Sequence, residues 1–260
     1  MTERSGFLPE PIEDGSGGSS ELLERAIRAH GGGDRWRQIN RITASLSAGG
    51  TLWAAKGQAC ALEDATVTLD THAQRCSLQP LGGNDQRAFF TPDRVEIETA
   101  DGRVVEERQN PRASFDRQLD APWDTLHLAY FAGCAMWTYL TVPFLLAGPG
   151  FRVEELDPAE EDGEPRFTLR ARFPAEIASH CSEQIFWFGP DGLLRRHDYT
   201  PELLLGHPGH LAVAHYTDDH KPYGGIEFPT RRRAVALRPD GETVVEPALV
   251  TIEIKDVTIE

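Results

Sequence analysis

The chain has 260 residues, 40% of them hydrophobic and 26% charged, with a formal net charge of −15. That is the composition of a globular protein able to bury a sizeable core. It excludes a nucleic-acid binder, because no basic stripe is present to neutralise phosphates, and no run approaches the roughly 18 apolar residues of a membrane-spanning helix.

The N-terminal stretch MTERSGFLPEPIEDGSGGSS lacks both the basic and the apolar segments of a secretory signal, so the expected setting is the cytoplasm. Residues 1–18, rich in Gly, Pro, Ser and acid, read as a flexible leader to one ligand-binding domain over 19–260. Ser19 and Ser20 then cap a helix with Leu22, Leu23, Ala26 and Ile27 on one face, stopped at Gly31-Gly32-Gly33. From Ile42 the period changes to two. Strands are predicted over 51–56, 66–69, 73–78, 89–90, 95–97 and 104–108, with a tight turn at Ala100-Asp101-Gly102.

Pro122 and Asp124 open the one strongly apolar helix, predicted over Asp124–Ala147. Pro143 should kink or end it, and Gly148-Pro149-Gly150 stops it. Strands resume over 151–156, 166–173, 184–188, 193–199, 212–217, 225–228, 231–237 and 249–260, with hairpin turns at Gly189-Pro190-Asp191-Gly192 and Pro239-Asp240-Gly241. The acidic run Glu154–Glu164 reads as a solvated hairpin loop. Cys60, Cys76, Cys134 and Cys181 contain no C-x-x-C pair and are expected to be free, buried thiols. All but Lys56, Lys221 and Lys255 of the 26 basic residues are arginine, a bias typical of a GC-rich, bacterial genome.

The fold class this predicts is α+β, mainly β: a curved antiparallel sheet, or half-barrel, wrapped around the long apolar helix. Three features carry a family resemblance: ERAIRAHGG at Glu24–Gly32, FGPDGLLRR at Phe188–Arg196, and YGGIEFPT at Tyr223–Thr230. With the order of elements, they resemble the LolA-like superfamily of outer-membrane lipoprotein carriers and sorting proteins. The resemblance implies an apolar cavity for a hydrophobic molecule and transfers no catalytic residue. Those carriers have signal peptides, so this chain is expected to be a cytoplasmic relative with a different task.

Candidate site residues concentrate in 180–233, which holds six of the nine histidines. On a strand, Arg195, His197 and Tyr199 share one face and Arg196 and Asp198 the other. His215 and Asp219 likewise share a face, as a base and its orienting carboxylate would. We expect His197, Tyr199 and His215 to be catalytic, moving protons in a cofactor-independent cyclase or isomerase acting on a natural-product-type intermediate. Tyr130, Trp137, Tyr139, Phe186, Trp187, Arg195, Tyr216 and Arg231 are expected to bind the substrate, the arginines by holding an anion and the aromatics by walling a pocket. No metal ligand set and no cofactor motif is assigned. A non-catalytic lipid or metabolite carrier or sensor is the alternative. A metal enzyme would need His207, His210, His215 and His220 to converge, although Pro208-Gly209 interrupts the first pair.

Overall fold

The computed structural model describes residues 20–116, 118–205 and 212–260. The predicted leader, and His207 and His210 of the metal alternative, lie outside the described residues.

Helix α1 (Glu21–Ala29) is capped by Ser20, whose Oγ accepts from the Leu23 amide. Its apolar face, Leu22, Leu23 and Ala26, is buried. Gly31 and Gly32 end it at φ +117° and +86°, and Gly33 opens the short α2 (Gly33–Trp36). A Cβ on Gly31 would lie 2.1 Å from the Gly225 carbonyl, so the close approach itself requires glycine. Then follow β1 (Arg41–Gly49), α3 (Thr51–Ala55), β2 (Ala65–Asp70), β3 (Cys76–Gln79), β4 (Gln86–Phe90), β5 (Arg94–Thr99) and β6 (Val104–Gln109). Next come a 3₁₀ turn (Pro111–Ser114), α4 (Thr125–Thr141) and a second 3₁₀ turn (Phe144–Ala147). The second half contains β7 (Arg152–Glu155), β8 (Ala159–Glu161), β9 (Glu164–Arg172), β10 (Glu183–Phe188), β11 (Leu194–Tyr199) and α5 (Glu202–Leu205). It closes with β12 (Ala212–Tyr223), β13 (Ile226–Leu237), β14 (Thr243–Val244) and β15 (Val250–Ile259).

The strands form one open, curved antiparallel sheet in the order β6-β5-β4-β3-β2-β1-β15-β13-β12-β11-β10-β9-β7. Two meanders are therefore joined by the last strand, β15, which pairs with β1 from Ile42↔Ile259 to Gly49↔Thr251 and with β13 from Arg231↔Glu253 to Ala234↔Val250. Helix α4 links the meanders in sequence and contacts both. Trp137 donates its indole N–H to the Asp70 carbonyl at 2.9 Å, and Arg232 of β13 donates to the Tyr139 carbonyl at 2.7 Å. Fifteen of its seventeen residues are buried, so nearly every side of it is covered. Asp124 caps it in a reciprocal box with His127, and the α-helix stops at Thr141, two residues before Pro143. None of the helices among the described residues is long and apolar enough to cross a membrane.

Three expectations change. Residues 51–56, expected as a strand, instead form α3 and its C-cap Lys56: the edges of β1 are already taken by β2 and β15, and the Trp53 indole donates back to the Gly49 carbonyl, closing a helical turn. The acidic stretch after β7 is not wholly solvated, since Glu161 is half-buried between Arg166 and Arg196. Cys76, Cys134 and Cys181 are buried free thiols, but Cys60 is exposed, at a left-handed turn position of φ 62°.

Candidate functional site

Side chains alternate across β10 to β13, and one face carries an aromatic and polar cluster into the interior. Gln184 and Phe186 come from β10, His197 and Tyr199 from β11, Val213, His215 and Thr217 from β12, and Arg232 and Ala234 from β13. Each of these residues is buried. The pairing sets Phe186 opposite His197, His197 opposite His215, and His215 opposite Ala234.

Within the cluster, the Phe186 and His197 rings stack at 4.4 Å, and His197 shares a 2.5 Å hydrogen bond through Nε2 with Gln184 Oε1. The Tyr139 and Tyr199 hydroxyls are 3.1 Å apart. The His215 ring lies edge-on to Tyr139 at 4.6 Å, and neither of its nitrogens has a partner. Burial, reinforced by the Arg232 charge, pushes both His197 and His215 well below the ordinary imidazole range. Burial also pushes Tyr139 up to about 12 and Tyr199 well above its usual value. At neutral pH all four groups are therefore neutral.

This cluster adjoins a cavity of about 300 Å³, at the small end of the roughly 300–1,000 Å³ typical of small-molecule pockets. Its wall is drawn from both meanders and from α4, including Leu46, Trp53, Val67, Phe131, Met136, Val213 and Ile252, and is almost wholly apolar. Tyr139 and Tyr199 supply the buried hydroxyls of this wall. Leu119, one of the few large apolar side chains left exposed among the described residues, belongs to the same lining.

The predicted site residues divide accordingly. His197, Tyr199, His215, Tyr139 and Phe186 come together. Trp137 is buried but spends its N–H on Asp70. Tyr130 packs on Phe90 and Phe115 and borders a separate polar depression beside Arg112. Trp187 and Tyr216 lie on the opposite face of the sheet. They sandwich the Arg196 guanidinium at 4.7 and 5.5 Å, while Arg196 pairs with Asp198 at 2.6 Å and Glu161 at 2.7 Å. Arg195 is tied to Asp191 at the hairpin turn.

Two pairings expected from spacing do not form. Asp219 does not orient His215: it takes a left-handed conformation (φ 55°), leaves the strand's alternation, and accepts from Thr230 while facing Lys221 and Arg231. Arg231 is exposed, and the inward member of the Arg231–Arg233 triplet is Arg232. Parity with the apolar Ile226 and Phe228 on the same strand is the signal that identifies it. His220 packs on His30 at 6.1 Å, and among the described residues no three His, Cys, Asp or Glu side chains converge as a metal site would require.

No family model matches this sequence, and no curated protein matches it. Solved structures do resemble it. A domain of an outer-membrane lipoprotein-sorting protein from Vibrio parahaemolyticus superimposes with a TM-score of 0.51 at 11% identity, covering 92% of this chain and 91% of that one. A LolA superfamily protein from Nitrosomonas europaea gives a TM-score of 0.51 at 11% identity, with 92% of each chain covered. These superpositions show that the chain has the fold of the LolA-like superfamily.

Proposed function

We propose that the protein holds a hydrophobic small molecule in the cavity bounded by α4, α3 and the inner faces of β1, β2, β12, β13 and β15. The observation that carries this is the lining, which is apolar on almost every side and contributed by both meanders and the linking helix. A cavity of this kind gains little from water, because a dry apolar void offers water too few partners. An apolar ligand regains the dispersion contacts that the wall lacks when empty. The likeness to a lipoprotein-sorting domain supports the same reading. In it the sheet acts as a half-barrel closed by α4.

A saturable titration with the neutral apolar dye N-phenyl-1-naphthylamine tests it. One dye should bind per chain with enhanced emission, and Ala135→Phe, which places a ring in the lining, should remove that binding. A wild-type chain that leaves the dye dark, or an Ala135→Phe chain that binds as well as wild type, would count against the cavity as the site.

A second reading, a cofactor-independent cyclase or isomerase, draws on the Tyr139–Tyr199 hydroxyl pair and the unpartnered His215 beside the cavity. Burial keeps those imidazoles neutral but also makes them weak bases. Binding is accordingly the better supported function. The two readings separate on whether a molecule incubated with the protein is recovered unchanged.

A further inference from the structure

Arg232 carries a charge in a place that does not neutralise it. It is 4% exposed. Its Nη2 donates to the Tyr139 carbonyl at 2.7 Å, its guanidinium carbon lies 4.9 Å from the centre of the Tyr139 ring, and its Nε has no partner. Its strand neighbours Arg231 and Arg233 find Asp219 and Glu246. Arg232 has no carboxylate partner among the described residues. The groups that feel its charge are Tyr139, Tyr199 and the histidines His197, His215, His30 and His220. Burial lowers Arg232 only to about 10, so it remains a cation at neutral pH.

An uncompensated buried cation is strongly destabilising. A chain of net charge −15 has carboxylates to spare, yet places none here. The surrounding groups are donors awaiting an acceptor. Two tyrosine hydroxyls that share one hydrogen bond leave one O–H free. Neutral His215 has one N–H and no acceptor for it. Both tyrosines line the apolar cavity, and Arg232 and His215 pack directly on Tyr139.

We propose that the ligand of this cavity is an amphiphile with a carboxylate head, whose hydrocarbon tail fills the apolar chamber while its carboxylate is received by Arg232, His215 and the free hydroxyl of the Tyr139–Tyr199 pair. This rests on the binding function proposed above. Recognition follows the ordinary preference of guanidinium and hydroxyl donors for an anionic acceptor in a desolvated site.

Calorimetric titration of the full chain with dodecanoate and with 1-dodecanol, both below their aggregation limits, tests it. Dodecanoate should bind at least tenfold more tightly than the alcohol of the same chain length. Arg232→Met should erase that difference, and Arg232→Lys should keep part of it. If the Met variant does not fold, the wild-type comparison and the Lys variant still decide. Equal affinity of the wild type for the two ligands would overturn the carboxylate assignment while leaving the cavity function standing. If neither ligand binds, the cavity function itself falls and the assignment falls with it.

Discussion

Tyr139 and Tyr199 join their hydroxyls at 3.1 Å, although one sits near the end of the buried helix and the other is the last residue of β11, 60 positions later. The bond ties α4 to the C-terminal meander at the wall of the cavity. A buried neutral hydrogen bond contributes about 1 kcal/mol net. Tyr139→Phe and Tyr199→Phe should each lower stability by about that much, and the double variant should cost less than the sum, because the second substitution finds the bond already gone. Urea midpoints of the four proteins check this; strict additivity would show that the hydroxyls do not interact in solution.

Acid should unfold the protein earlier than its carboxylates alone would. His30 offers Nδ1 to the Ala26 carbonyl at 2.8 Å, and its Nε2 faces the Leu194 amide at 3.5 Å, an arrangement that needs the neutral ring. His180 stacks on Phe131 at 4.1 Å with Nε2 against the Phe131 carbonyl. Burial lowers both from 6.5 to about 4. Below pH 6.5 the unfolded chain takes up these protons while the folded chain refuses them until about pH 4. The stabilisation is therefore complete above pH 6.5 and is lost as pH falls through that window. The maximum for each group is about 3 kcal/mol. The urea midpoint should drop between pH 7.5 and 5, and by less in His30→Gln. A midpoint flat across that range would mean these rings are not held neutral.

Gly133 of α4 faces Phe90 of β4 so closely that a Cβ would lie 2.3 Å from the ring. Gly133→Ala gains about 1 kcal/mol of helix propensity, but forces the helix and sheet apart at a typical cost of about 1–3 kcal/mol or more. The expected sign is destabilising, with part of the loss recovered in Gly133→Ala/Phe90→Leu. A more stable Gly133→Ala protein would refute the close packing.

Lys56 is buried completely, with Nζ donating to three carbonyls, Gln118 at 3.2 Å, Leu119 at 2.7 Å and Ala121 at 3.1 Å. It fixes the segment that brings Leu119 to the cavity. Charge-assisted bonds contribute roughly 1.5–3 kcal/mol each, and Lys56→Met would also strand the carbonyls, so a loss of about 3 kcal/mol and faster amide exchange over 118–121 are expected. Exchange at wild-type rates in that segment would show that the lysine does not hold it.

Much of this architecture was legible in the sequence, for identifiable reasons. The Asp124 cap and Pro143 delimit α4 because capping and proline geometry act locally. The β period put His197 and Tyr199 together on one face, and the structure keeps them there. What depended on distant partners was not legible. Residues 51–56 have strand-like composition, but β15 arrives from the far end of the chain to occupy the edge they would have used. Asp219 leaves the alternation through a left-handed residue, which separates it from His215. In the Arg231–Arg233 triplet a shift of one residue exchanges the inward and outward arginines; parity with Ile226 and Phe228 already favours Arg232, and the register against β12 and β15 fixes it. The role of Lys56 rests on carbonyls more than sixty residues away, which no local pattern encodes.

The proposed function places an apolar molecule in the chamber beside Tyr139 and Tyr199. Native mass spectrometry of the protein purified from its own source, followed by denaturing release and identification of what is bound, tests it most directly. A discrete added mass at one per chain is expected, released as a molecule with a hydrocarbon body and absent from Ala135→Phe. A bound mass retained at full occupancy by Ala135→Phe, or a released molecule that is polar throughout, would contradict it.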